Sequence, residues 1–151
     1  YYVRWQRPEK IEMFKLLHDN IPPDKALLSY EDFIVEQHKA KGAFYRPEIA
    51  WYLDRPIVQA GAARNRGLPL NKALSDIEQK AATGEYPYYL VPRMPALMPL
   101  INELAKRYEV FRYIPGKQPE VDLRRRTIRS IRAGMYPYVI FDLRKKPGSG
   151  A

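Results

Sequence analysis

The chain has 151 residues, enough for one domain that buries about two thirds of its unfolded surface. A hydrophobic content of 46% with 28% charged residues excludes wholesale disorder, and the absence of cysteine excludes disulfides, thiolate metal sites and cysteine nucleophiles. A net charge of +9 implies attraction to polyanions: nucleic acid, anionic lipid surfaces or phosphorylated substrates.

No apolar run approaches the ~18 residues of a membrane span, and no signal-peptide pattern is present. Tyr1-Tyr2-Val3-Arg4-Trp5-Gln6-Arg7 lacks an initiator Met and mixes aromatics with arginines, a composition typical of residues just outside a transmembrane helix. The plainer alternative is a short edge strand or tail. Residues 1–7 are expected to be a juxtamembrane tether, 8–146 a single α/β domain, and 147–151 a flexible tail.

In chain order, Pro8 suits the first position of a helix, where its missing N–H costs nothing. Ile11, Phe14, Leu17 and Ile21 recur at helical spacing, and Pro22-Pro23-Asp24 stops the helix. Residues 26–30 follow as a short buried strand. Pro47 opens a short helix carrying Ile49, Trp51 and Tyr52, which ends before Pro56. Residues 57–60 are a second strand and 61–69 a loop. Leu70, Leu74, Ile77 and Ala81 mark a helix with Asn71 as N-cap and Gly84 as stop. Residues 86–91 form a third strand. Pro95 opens a helix striped by Leu97, Leu100, Ile101 and Leu104. Residues 108–114 are a fourth strand, 115–119 a hinge, and 136–143 the last strand.

Strands alternating with helices predict a small three-layer, Rossmann-like α/β domain. Its sheet is expected to be mostly parallel, of about five strands, with helices on both faces and the closing strand antiparallel at an edge.

In such sheets ligands bind beyond the carboxyl ends of the strands. Those ends present Glu31 and Asp32, then Gln59, then Arg93. The two carboxylates suit a general base, a cation or sugar hydroxyls, whereas the plainer reading is a solvated loop or helix N-cap. No metal-ligand spacing, phosphate loop or Ser-His-Asp arrangement is present, and His18 reads as a packed boundary residue. Residues 61–67 place small residues and two arginines after a strand without a phosphate-loop signature.

If residues 120–133 are helical, Arg125, Arg129 and Arg132 share one face. That face suits phosphates or an anionic surface, including nucleic acid, although a solvated face on a core-packed helix explains it equally simply. No helix-turn-helix, zinc-finger or RNP-like motif accompanies these arginines, so nucleic acid is the less favoured partner.

The densest segment runs from Phe44 to Ile57, with four aromatics, two Arg-Pro pairs and Glu48. It suits a polar, partly flat ligand such as a sugar, a lipid head group or a base. The plainer alternative is that Trp51 and Tyr52 are core and that the arginines cap helix ends.

Taken together, the first helix, Ile21-Pro22-Pro23-Asp24, a short strand, Tyr52-Leu53-Asp54-Arg55-Pro56, Tyr86-Pro87-Tyr88-Tyr89-Leu90-Val91-Pro92 and a leucine-striped helix leading into Tyr108-Glu109-Val110 form a recognisable succession. Over residues 8–114 it resembles the extracytoplasmic C-terminal domain of bacterial membrane glycosyltransferases, the group similar to dolichyl-phosphate-mannose protein mannosyltransferases and the aminoarabinose transferase of lipid A.

The resemblance implies a domain tethered at the periplasmic or outer face of a bacterial membrane. Its partners would be the transmembrane part of the same polypeptide, a lipid-linked sugar or acceptor, and the anionic bilayer. Transfer chemistry would belong to the transmembrane part. The domain itself would hold no cofactor, any divalent metal belonging to the parent, and would cover or orient substrate. Tyr45, Arg46, Glu48, Tyr52 and Arg55 are the expected substrate-facing surface. The arginines at 124–132 have no counterpart in that family.

Overall fold

A computed structural model describes residues 8–31, 34–36, 43–45, 49–63, 66–115 and 137–148. Helix α1, Pro8–Asn20, begins on its proline and buries Met13, Phe14 and Leu17 on one side, followed by Ile21. The Ile21 amide still donates to the Leu17 carbonyl at 2.8 Å, after which Lys25 N–H closes a turn onto Pro22 at 3.0 Å. Proline pairs cannot continue the helical ladder, so the chain turns there.

Five strands form the central sheet: β1 (Leu27–Ser29), β4 (Ile57–Gln59), β7 (Tyr88–Pro92), β8 (Glu109–Ile114) and β9 (Tyr138–Asp142), in the order β4-β1-β7-β9-β8. β1 pairs in parallel with β4 and with β7, whereas β9 pairs antiparallel with both β7 and β8. The sheet is therefore mixed, which corrects the expectation of a mostly parallel, Rossmann-like sheet.

The cause lies in the last strand. β8 ends where β9 begins, with Ile114 opposite Tyr138, so the chain returns in the reverse direction. β9 is also not at an edge. It fills the space between β7 and β8, burying all five of its residues, while β8 takes the edge with alternating exposure.

Successive side chains of a strand point to opposite faces, and the core divides accordingly. Leu27, Ile57, Tyr88, Leu90, Tyr138 and Ile140 join α1 and Leu53 on one face. Leu28, Tyr89, Val91, Val139 and Phe141 join helices α2 (Leu70–Ala82) and α3 (Met98–Arg107) on the other. Each fully buried Leu, Ile or Phe contributes about 1.5–3 kcal/mol, so both faces are needed for a domain of this size.

Helix α2, Leu70–Ala82, follows Pro69, whose extended ψ of 147° makes it the N-cap without a side-chain bond. Asn71 is thus inside the first turn, its Oδ1 accepting from the Lys72 amide at 2.9 Å, and is not the expected cap. Helix α3, Met98–Arg107, is led in by a 3-10 turn at Pro95–Leu97 and buries Leu100, Ile101 and Leu104. Arg107 reaches Glu78 of α2 at 2.9 Å.

Two small hairpins were not anticipated from sequence: β2 (Ile34–Glu36) with β3 (Ala43–Tyr45), and β5 (Ala62–Ala63) with β6 (Arg66–Gly67) in the segment expected to be loop. The short helix expected after Pro47 is a π-helical turn, Ile49–Leu53. The expected hinge at 115–119 and basic helix at 120–133 lie, apart from Pro115, outside the described residues, as do residues 1–7 and 149–151. No helix among the described residues is long and apolar enough to cross a membrane.

Candidate functional site

Two regions gather the residues singled out from sequence. The first is the aromatic segment beside α1. Leu53 is fully buried there, and its carbonyl accepts from His18 Nδ1–H at 3.0 Å, which ties the π-helical turn to the helix. His18 is therefore the boundary residue expected. Tyr52 is half-buried against the α1 face, and Lys15 Nζ stands 5.3 Å from its ring centroid.

Arg55 Nε donates to the Ile21 carbonyl at 3.1 Å and its Nη1 to the Asp54 carbonyl at 2.8 Å. It satisfies backbone groups left open beyond the helix end. Asp54 adopts φ +46°, and this left-handed residue ends the turn before Pro56.

Tyr52 and Arg55 thus both make contacts within the fold. Trp51 does the opposite. Its side chain is 83% exposed, although the residues after it are anchored. Only the plainer alternative placed it in the core, and helical periodicity cannot decide between the two because a π-helical turn shifts which residues face inward. Tyr45 lies in β3, while Arg46 and Glu48 lie outside the described residues.

The second region is the carboxyl edge of the central sheet. Glu31 follows β1 and Arg93 follows β7, two adjacent parallel strands. Ser29 Oγ accepts from the Glu31 amide at 3.1 Å, fixing the turn that leaves β1. Tyr138 Oη donates to the Glu31 carboxylate, 3.3 and 3.4 Å from its two oxygens. The Arg93 amide donates to the Pro137 carbonyl at 2.7 Å, which sets Arg93 beside the start of β9. Arg93 Nη1 donates to Tyr113 Oη at 3.1 Å, and its guanidinium lies 5.4 Å from that ring's centroid.

Strand alternation places Glu31 and Tyr138 toward the α1 face and Arg93 and Tyr113 toward the α3 face. Gln59 Nε2 donates to the Tyr30 carbonyl at 3.1 Å across the neighbouring strand end. Burial pushes the Tyr30 phenol above its usual pKa. Burial pushes that of Tyr89 well up, with the charges of Tyr30 and Asp76 adding to it, so both phenols stay protonated at neutral pH.

Of the strand-end residues expected from sequence, the fold thus brings Glu31, Gln59 and Arg93 to one edge, while Asp32 lies outside the described residues. Tyr138 and Tyr113 were missed. Their positions opposite Pro92 and Val139 follow only once β9 is known to sit between β7 and β8. Arg125, Arg129 and Arg132 lie outside the described residues. Among the described residues no group of three His, Asp or Glu side chains is placed to hold a metal ion. No family model matches this chain, and neither does any curated protein or solved structure.

Proposed function

We propose that this chain is an extracytoplasmic domain of a bacterial membrane glycosyltransferase that uses a polyprenyl-phosphate sugar. It covers or orients the acceptor or lipid substrate, and the transfer step belongs to the transmembrane part. The observation carrying this reading is Trp51. A turn tied to α1 through the Leu53 carbonyl and His18 carries an 83% exposed tryptophan. Indoles favour the membrane–water interface, where the ring is half in lipid and the N–H remains hydrated. The net charge of +9 adds attraction to anionic head groups. The succession of residues 8–114 supports the same family.

The test uses Trp5→Phe, which leaves Trp51 as the sole tryptophan of the two in the chain. With phosphatidylglycerol vesicles at ~50 mM salt its emission should shift to the blue, and the shift should fade near physiological ionic strength, where the Debye length is about 8 Å. Trp51→Ala should weaken vesicle binding in the wild-type background. The upstream reading frame should encode several apolar segments of ~20 residues. An unshifted emission, or an upstream frame with one span or none, overturns the proposal.

A further inference from the structure

The outer edge of the central sheet carries a second inference, independent of any membrane location. β8 is the edge strand, and among the described residues no strand pairs with its outer side. The Leu143 amide donates to the Pro87 carbonyl at 2.9 Å, and the Arg93 amide to the Pro137 carbonyl at 2.7 Å. The backbone groups of residues 137, 139, 141 and 143 therefore point to β7, and those of 138, 140 and 142 to β8. Opposite the latter three stand Ile114, Arg112 and Glu109, whose backbone groups face β9 in return. Val110 and Tyr113, opposite Phe141 and Val139, turn their N–H and C=O groups outward instead. They are also the strand's two large apolar residues that stay exposed, at 46% each.

The register passes from Val110 opposite Phe141 to Arg112 opposite Ile140, so Phe111 is an extra residue, a β-bulge. The bulge puts Glu109 and Arg112 on one face, because their partners Asp142 and Ile140 are two residues apart on β9. That is the α1 face, where Phe111 and Ile114 also pack. Val110 and Tyr113 share the α3 face with Phe141 and Val139. Neither Glu109 nor Arg112 has an ion-pair partner among the described residues.

We infer that β8 pairs antiparallel with β8 of a second copy of this chain, across a two-fold axis at Val110. An outward-facing residue on such an axis exchanges both of its backbone hydrogen bonds with its own counterpart. This register sets Glu109 of each copy opposite the bulge of the other, beside Arg112 on the same face, so the charges pair reciprocally. An axis midway between Val110 and Tyr113 would bring the two Arg112 side chains together, and like charges across strands destabilise. An axis at Tyr113 would leave Arg112 opposite Ile114 and Glu109 beyond the pairing. The charges thus select both the occupant and the register. A single strand pairing buries less than a standard interface, so the dimer is weak and reversible.

Sedimentation velocity of the full chain, from about 10 µM to about 1 mM at ~150 mM salt, should show a reversible monomer–dimer equilibrium. Amide shifts on dilution should centre on residues 109–113. Glu109→Arg and Arg112→Glu should each weaken dimerisation at least about tenfold, and the two together should restore it to within about threefold. Arg112→Glu also lowers the repulsion between two +9 chains, so a nonspecific association would tighten instead. Val110→Pro removes an outward amide, a change that an edge strand tolerates, and should abolish the dimer. A wild-type chain still monomeric at about 1 mM overturns the inference. So does a dimer that survives Val110→Pro, one that the folded double variant fails to restore, or dilution shifts centred elsewhere. The wild-type dilution shifts decide the matter even where a variant fails to fold.

Discussion

Tyr89 and Gly61 approach so closely that a methyl group does not fit between them. A Cβ added to Gly61 would lie 2.8 Å from the Tyr89 hydroxyl and 3.0 Å from Ile77 Cδ1, and Gly61 has φ +81°. The same hydroxyl donates to the Ala60 carbonyl at 2.9 Å from a fully buried ring, so it cannot move away cheaply. Gly61→Ala therefore combines a left-handed backbone penalty with overpacking and should cost about 2–4 kcal/mol in urea unfolding. In a Tyr89→Phe background the clash with oxygen disappears while the φ penalty and Ile77 remain. The cost of Gly61→Ala should fall there without vanishing.

Asp76 holds the other side of the same turn. Its Oδ2 accepts from the Gly61 amide at 2.9 Å, and its Oδ1 accepts from Lys80 one helical turn on. Burial pushes the carboxyl pKa up, but the Lys80 hydrogen bond, the Gly61 amide and the Lys80 charge outweigh it and leave it below the ordinary 3.8. The native carboxylate thus stays ionised where the unfolded chain has begun to take up protons. Its stabilisation is full above the ordinary value and fades as pH falls through the lowered one. Asp76→Asn should flatten the stability profile below about pH 4 and leave less difference between the two proteins at pH 2 than at pH 7.

At the opposite end of the sheet Asp142 is 3% exposed and accepts from the Arg144 amide, Nε and Nη2 at 2.9, 3.1 and 3.2 Å. Arg144 Nη2 also reaches Tyr88 Oη at 2.9 Å. Removing the cation strands a buried carboxylate, but half of the Arg144 side chain is exposed, so water screens part of that loss. Arg144→Ala should cost about 1–3 kcal/mol. Asp142→Asn with Arg144→Ala should cost less than the two single changes added together, and a thermal-melt double-mutant cycle measures the difference.

Helices α1, α2 and α3 and the five central strands are legible in the sequence because each combines an apolar period with a proline or glycine boundary. Strand direction is not, since alternation of elements says nothing about where the last strand inserts. One signal was present. Residues 138–141, Tyr-Val-Ile-Phe, form an unbroken apolar run that suits a central strand, whereas Glu109 and Arg112 interrupt β8 as on an edge. The hairpins are too short for periodicity to register. Glu31, Gln59 and Arg93 were recoverable from the strand-end rule, but Tyr138 and Tyr113 reach them through pairings remote in sequence. For Trp51 the sequence left core and surface open, because the turn that carries it has a period that is neither 3.6 nor 2.

The aromatic segment separates fold from surface residue by residue. Leu53 has no exposed area, and Leu53→Ala should cost about 2–5 kcal/mol through lost burial and a cavity beneath α1. Arg55→Ala removes the donor to Ile21 from a half-buried site and should cost about 1 kcal/mol. Trp51→Ala should change stability by no more than about 0.5 kcal/mol, because an 83% exposed ring leaves little burial to lose. Urea unfolding of the three variants measures this order. If Trp51→Ala proved as costly as Leu53→Ala, the indole would be a structural element and not a contact surface. The expected order assigns the vesicle defect of the Trp51 variant to the surface itself, since the chain beneath it remains as stable as the wild type.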